Sequence, residues 1–316
     1  MTPTAPLRTV VADLVFQNPI ILAAGTAGYG EELVDVLRLD ALGGFVTKAV
    51  SMEPRAGAPA PRVAEFEGGM INAVGLANPG LNAVRSDHLP WLASHLPQTR
   101  KIVNVVGFTV DEFAGVVSGL EESLQQTPGS AVDAFELNVS CPNVKAGGLE
   151  FGADAVALRA VVTGARRETR RPLFVKLSPT LTNIGDAARI AADAGADAIT
   201  VVNTIPGLVI DVERRRPVLG FGTGGVSGPA ILPVGVLATW KVHRAVPLPI
   251  FGIGGVASGN DALQYIVAGA SLVGVGTAAM RDPRAPERIV SELAAWCRRH
   301  GVTNIRELTG TLEWPK

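Results

Sequence analysis

Short apolar runs, most of them ending in glycine or in a polar side chain, recur along this chain at intervals that leave room for a helix between them. Eight stand out: Pro19–Gly25, Gly43–Val50, Lys101–Gly107, Ala134–Ser140, Pro172–Ser178, Ala198–Thr204, Pro249–Gly255 and Ser271–Thr277. Continuous rather than alternating apolar character is what strands buried on both faces produce. Helical periodicity follows several of them, over Glu31–Leu39, Asp111–Glu122, Ala153–Thr169 and Asn183–Ala194. Ahead of the first run, Leu7–Val11 and Leu14–Phe16 flank Ala12 and Asp13, which predicts a small hairpin lidding one end of the fold.

Eight strands alternating with helices predict an α/β architecture, a single parallel (β/α)8 TIM barrel over residues 1–316, somewhat longer than the ~250 residues usual for that fold. A doubly wound open sheet is the alternative. Two connections, Ser51–Pro90 and Ile205–Pro229, are too long for simple turns. In a barrel they are long loops over the C-terminal face, where loops of this size are more often functional than idle. No linker composition argues for a second domain.

Charge and cysteine content narrow the classes. The net charge is −1 with a pI near 6.4, and the longest basic run, Arg214–Arg216, sits beside Asp211 and Glu213. That reads as a solvated loop, so nucleic acid is not an expected partner. Cys141 and Cys297 make no disulfide framework and suit a reducing cytoplasm. They have no metal-ligand spacing and the four histidines are scattered, so no metal is expected. Met1–Ile21 lacks signal-peptide character and no window approaches the ~18 apolar residues of a membrane span, so the chain is expected to be cytoplasmic.

The chemistry sits at the strand ends. A closed barrel brings Lys48, Asn104, Asn138, Lys176 and Asn203 to one mouth. Carboxamides on successive strands suit a planar heterocycle, since each offers an acceptor and two donors, and the lysines can neutralise electron-rich atoms. The plainer reading is that each lysine only escapes to solvent. Gly254-Gly255 and Gly276-Thr277 close the last two strands, where barrels hold phosphate on backbone N–H groups; alternatively they only make tight turns. No carboxylate pair or Ser/His/Asp set accompanies them, which leaves hydrolysis by those routes unsupported.

The stretch Glu136–Asn143 turns abruptly from apolar to polar, and Pro142 stops the strand just after Cys141. The thiol is then displayed on a loop, open to service as nucleophile or general base, against the default of a small buried hydrophobe. As a base it acts only as thiolate, with a free pKa of about 8.5, so activity is expected to rise with pH. Cys297, on an amphipathic helix, reads as packing.

In order along the chain, Val46–Ala49, Asn72–Gly80, Asn138–Asn143, Val175–Pro179, Val202–Thr204, Gly224–Pro229, Gly254-Gly255 and Gly276-Thr277 resemble the motifs of the class 1 dihydroorotate dehydrogenases, most closely class 1B. The resemblance covers nearly the whole chain. It implies the catalytic FMN subunit of an enzyme that oxidises dihydroorotate to orotate in de novo pyrimidine (UMP) synthesis, Cys141 taking the C5 proton while the C6 hydride passes to flavin. By the same resemblance Lys48, Asn104, Asn138, Lys176, Val202, Gly228, Gly254, Gly255, Gly276 and Thr277 contact FMN. Lys48, Asn72, Gly75, Leu76, Asn138, Asn143, Asn203 and Thr204 surround the substrate.

Class 2 enzymes use serine as base and carry an N-terminal membrane segment; this chain has Cys141. Class 1B enzymes join their barrel, as a homodimer, to a second subunit bearing FAD and a 2Fe-2S cluster that passes electrons to NAD, which implies a heterotetramer here. This chain lacks the cysteines to hold such a cluster itself. Class 1A, a homodimer reducing fumarate, is the nearest rival. Further alternatives are a barrel like that of the dihydropyrimidine dehydrogenases, a flavin-free lyase forming a Schiff base on Lys176, and a phospholigand-binding barrel without catalysis.

Overall fold

The computed structural model describes residues 5–97, 99–126, 131–140 and 150–315. The hairpin opens it as β1 (Thr9–Val11) and β2 (Leu14–Phe16), with Ala12 and Asp13 at φ 47° and 65°. Two successive positive φ values are what a two-residue turn needs to match the twist of its strands. Val11 and Phe16 are buried among Ile21, Val46, Ile102, Phe174, Phe251 and Leu272, so the hairpin closes the end of the barrel where the strands begin.

The chain then runs through β3 (Ile20–Leu22) and β4 (Gly44–Val46), leaves the barrel for β5 (Val63–Phe66) and β6 (Gly69–Asn72), and returns as β7 (Arg100–Val105). It continues through β8 (Ala134–Asn138), β9 (Leu173–Leu177) and β10 (Ala198–Val201). A second excursion holds β11 (Ile205–Gly207), β12 (Ile210–Asp211), β13 (Arg216–Pro217) and β14 (Gly224–Ser227). The strands β15 (Ile250–Ile253) and β16 (Leu272–Val275) complete the set.

Eight of these, in the order β3-β4-β7-β8-β9-β10-β15-β16 and back to β3, form a closed barrel, and every pairing in it is parallel. The eight predicted runs are these eight strands, each run extending past its strand. In the sixth, for example, the ladder ends at Val201 and the remaining Val202–Thr204 turns into the mouth.

Three expectations need correction. No α-helix forms over Glu31–Leu39: the segment closes mostly in turns such as Val36 N–H to Leu33 O, followed by a short 3-10 helix over Leu39–Ala41. Val34, Asp35 and Val36 are weak helix formers, and only Leu37 and Leu39 of the stretch are buried, too few to anchor one.

The connection Ser51–Pro90 is not all loop. It contains the start of a continuous helical stretch of three segments, Gly80–Ala83, a π turn over Val84–His88, and Leu89–His95; Pro90, with no N–H to give, falls in the first turn of the last.

The two long connections also pair with each other, in a four-stranded antiparallel sheet ordered β11-β14-β6-β5. The glycine-rich β14 shows no side-chain alternation to read, yet its glycines are needed. A Cβ on Gly225 would lie 2.1 Å from Thr204 Oγ1. Arg214–Arg216 are exposed, as expected of a solvated loop, and Cys297 is buried in the helix Ala285–His300.

Candidate active site

Side chains two residues apart on a strand share a face. On β7, β8, β9 and β10 the inner face therefore steps from Ile102, Ala134, Phe174 and Ala198 to Asn104, Glu136, Lys176 and Thr200, with Asn138 above Glu136. Over this polar layer lies a cavity of about 600 Å³. It is lined by Lys48, Asn72, Gly75, Leu76, Asn104, Asn138, Lys176, Val202, Asn203, Thr204, Gly228, Gly254, Gly255, Gly276 and Thr277. The expected site residues thus meet in one space, except Cys141 and Asn143, which lie outside the described residues.

Each carboxamide is held by a hydrogen bond of its own or of a neighbour. Asn104 Nδ2 donates to Glu136 Oε1 at 2.8 Å, and Asn203 Nδ2 donates to Asn138 Oδ1 at 3.3 Å. Asn203 Oδ1 accepts from the backbone of Thr204 at 2.8 Å, while Asn72 Nδ2 donates to Gly225 O at 3.3 Å, tying β6 to β14 beside the cavity. Lys176 is only 7% exposed, and its ammonium has no hydrogen-bond or ion-pair partner among the described residues. The ammonium opens on the cavity with its donors unused, so the cavity floor suits an anionic or electron-rich group.

At the other end the wall is backbone. Gly255 has φ +73°, and a Cβ there would come within 2.7 Å of Leu232 N and 2.9 Å of Gly228 O, so only glycine fits. Tyr265 donates to Gly254 O at 2.7 Å; burial first, and Asp261 second, push its hydroxyl above the ordinary range, which keeps it a donor. Thr277 Oγ1 donates to Ser227 Oγ at 2.8 Å, joining the start of the helix Thr277–Arg281 to β14. A planar ring over the lysine and amides with a phosphate on this glycine wall matches the donor set.

A second opening of about 320 Å³ shares Asn72, Gly75, Ser140, Asn203 and Thr204 with the first and adds Glu150 and Ser178. Burial raises the Glu150 carboxyl, opposed by the hydrogen bond from Ser178. Glu150 Oε2 and Ser140 Oγ are buried without a partner among the described residues.

Glu136, Thr200, Glu150 and Ser178 escaped the sequence reading. For Glu136 a signal existed: a carboxylate in the middle of an otherwise apolar strand is seldom buried without a purpose. Among the described residues no group of three or more His, Cys, Asp or Glu side chains could hold a metal, and no helix is long and apolar enough to cross a membrane.

Comparison with known proteins adds to this geometry. The profile of the family described as Dihydroorotate dehydrogenase matches residues 6–296. The chain is 46% identical over 303 residues to the dihydroorotate dehydrogenase B (NAD(+)) catalytic subunit of Pelobacter propionicus, covering 96% of this chain and 97% of that one. It is 47% identical over 300 residues to the protein of the same description from Desulforudis audaxviator, covering 95% of each. Among solved structures, DHODH from Eimeria tenella in complex with ferulenol superposes with a TM-score of 0.82 at 24% identity, covering 98% of this chain and 89% of that one, a likeness of fold.

Proposed function

Because the chain belongs to the dihydroorotate dehydrogenase family, we propose that it oxidises dihydroorotate to orotate in pyrimidine synthesis, with FMN held in the barrel mouth. The observation that carries the cofactor assignment is the unpartnered ammonium of the largely buried Lys176, which faces the same cavity as the Asn104 and Asn138 amides and the Gly254–Gly255 wall. FMN, when bound, supplies the acceptor for the substrate's C6 hydride.

The chain's own residues bind and orient. Lys48, Asn104, Asn138, Lys176 and Val202 hold the flavin ring, and Gly228, Gly254, Gly255, Gly276 and Thr277 its phosphate end. Asn72, Gly75, Leu76, Asn138, Asn143, Asn203 and Thr204 surround the substrate, with Lys48 reaching both. Cys141, as thiolate, removes the C5 proton. The catalytic rate therefore rises with pH as the thiol ionises; a flat profile from neutral to alkaline pH would count against this base.

Residues 1–316 work as one FMN-binding barrel in the cytoplasm. The relatives' description as a catalytic subunit supports a partner for this chain. That partner is a subunit carrying FAD and a 2Fe-2S cluster, joined to a dimer of this chain as a heterotetramer and delivering electrons to NAD.

The test is anaerobic mixing of the yellow protein with dihydroorotate while flavin absorbance is followed. Bleaching is expected, and then reoxidation by NAD only with the partner subunit present; reoxidation by fumarate would instead mark the class 1A chemistry. Cys141→Ala is expected to keep its flavin while reduction slows about 10²- to 10⁴-fold. A colourless protein that cannot be reconstituted with FMN would sink the whole reading, and normal reduction of Cys141→Ala only the base.

A further inference from the structure

One carboxylate in the barrel interior touches neither solvent nor cavity. Glu136 is fully buried and is absent from the cavity wall. Its Oε1 accepts from Asn104 Nδ2 at 2.8 Å and its Oε2 from Thr200 Oγ1 at 2.9 Å. A carboxylate removed from water is expensive even when bonded, and an apolar residue of its size would fill the layer at lower cost.

What an apolar residue could not do is orient Asn104. A carboxamide has a donor arm and an acceptor arm, and turned by half a revolution it occupies nearly the same space. A carboxylate has no hydrogen to give, so it admits only the orientation that points Nδ2 at it. Asn104 Oδ1 is then the arm left for the cavity, and it has no partner among the described residues. The backbone of Asn104 takes no part in the choice, since its N–H donates to Thr47 Oγ1 at 3.2 Å.

We propose that Glu136 is a positioning residue that sets the polarity of Asn104, so that the β7 side of the cavity offers an acceptor and selects a ring edge bearing an N–H. The proposal rests on the flavin reading, because the pyrimidine edge of the flavin ring carries one N–H between two carbonyls. Thr200 supports it by donating to the second carboxylate oxygen.

The experiment titrates apoprotein with FMN and with N3-methyl-FMN, reading the change in flavin fluorescence. Wild type is expected to prefer FMN by about tenfold. Glu136→Gln keeps the shape but can donate to Asn104 Oδ1 and turn the amide, so the preference falls to about threefold or less. Combining Glu136→Gln with Asn104→Asp exchanges donor and acceptor, conserves charge and again leaves an acceptor on the cavity. Its preference returns to within about threefold of wild type, a rescue that a merely structural role would not produce.

Wild-type preference in Glu136→Gln overturns the proposal. So does an exchanged pair that discriminates no better than Glu136→Gln or, should that single variant not fold, an exchanged pair without preference. Wild type that binds FMN and its N3-methyl form equally overturns this proposal alone, whereas wild type that binds neither overturns the flavin reading.

Discussion

Two layers of the same barrel interior, one strand repeat apart, have opposite chemistry. The lower layer, with Ile102, Ala134, Phe174 and Ala198, packs under the hairpin residues Val11 and Phe16. The upper layer, two residues further along the same four strands, is Asn104, Glu136, Lys176 and Thr200. The backbone ladder is continuous through both, so the difference lies entirely in the side chains. The lower layer returns apolar area to the fold and stabilises it. The upper layer carries polar groups instead, two of them formally charged, and placing these inside the barrel costs stability. A barrel can thus keep its stability at one end and its binding energy at the other, without either disturbing the strand register.

The separation can be broken first from below. Phe16→Ala empties a fully buried aromatic site and is expected to cost about 3–5 kcal/mol in urea unfolding, while FMN affinity of the folded protein stays within about twofold. A large loss of flavin affinity would mean that the two layers are coupled.

From above, Lys176→Met removes the ammonium that faces the cavity but keeps the length of the side chain. FMN binding is expected to weaken about 10- to 100-fold in fluorescence titration, with the melting temperature of the apoprotein unchanged or raised. A destabilised apoprotein would show that Lys176 supports the fold rather than the ligand.

The smallest effect concerns Glu150, at the edge of the upper region. Burial raises its carboxyl, so the folded chain keeps a proton that the unfolded chain has already lost. The stability tied to this group is full below the ordinary carboxyl range and declines as pH rises to the raised folded value. Glu150→Gln should therefore melt no higher than wild type in acid and about 1–2 °C higher at neutral pH. A gap that does not change with pH would argue against ionisation as its cause.

Legibility in the sequence followed burial. All eight barrel strands were readable because each is covered on both faces and so is mostly apolar, without interruption in Ile250–Ile253 and Leu272–Val275. The hairpin was readable from two residues between two apolar runs. The sheet over the mouth was not, since β14 is Gly224–Ser227 and is specified by what it pairs with, Met70–Asn72 and Ile205–Gly207. The missing helix at Glu31–Leu39 failed for the converse reason: its periodicity was present, but little of it packs.

The order of apolar and polar residues by itself determined the strands, their inner face and the polar character of their ends, because a strand repeats every two residues whatever surrounds it. Only closure of the barrel decided which polar groups meet. Asn104 and Glu136 are 32 residues apart and Glu136 and Thr200 are 64 apart, yet they share hydrogen bonds because β7, β8 and β10 bend around one axis. No local pattern carries that information: such a contact depends on the register of strands separated by whole helices, and with it the direction in which the Asn104 amide faces its ligand.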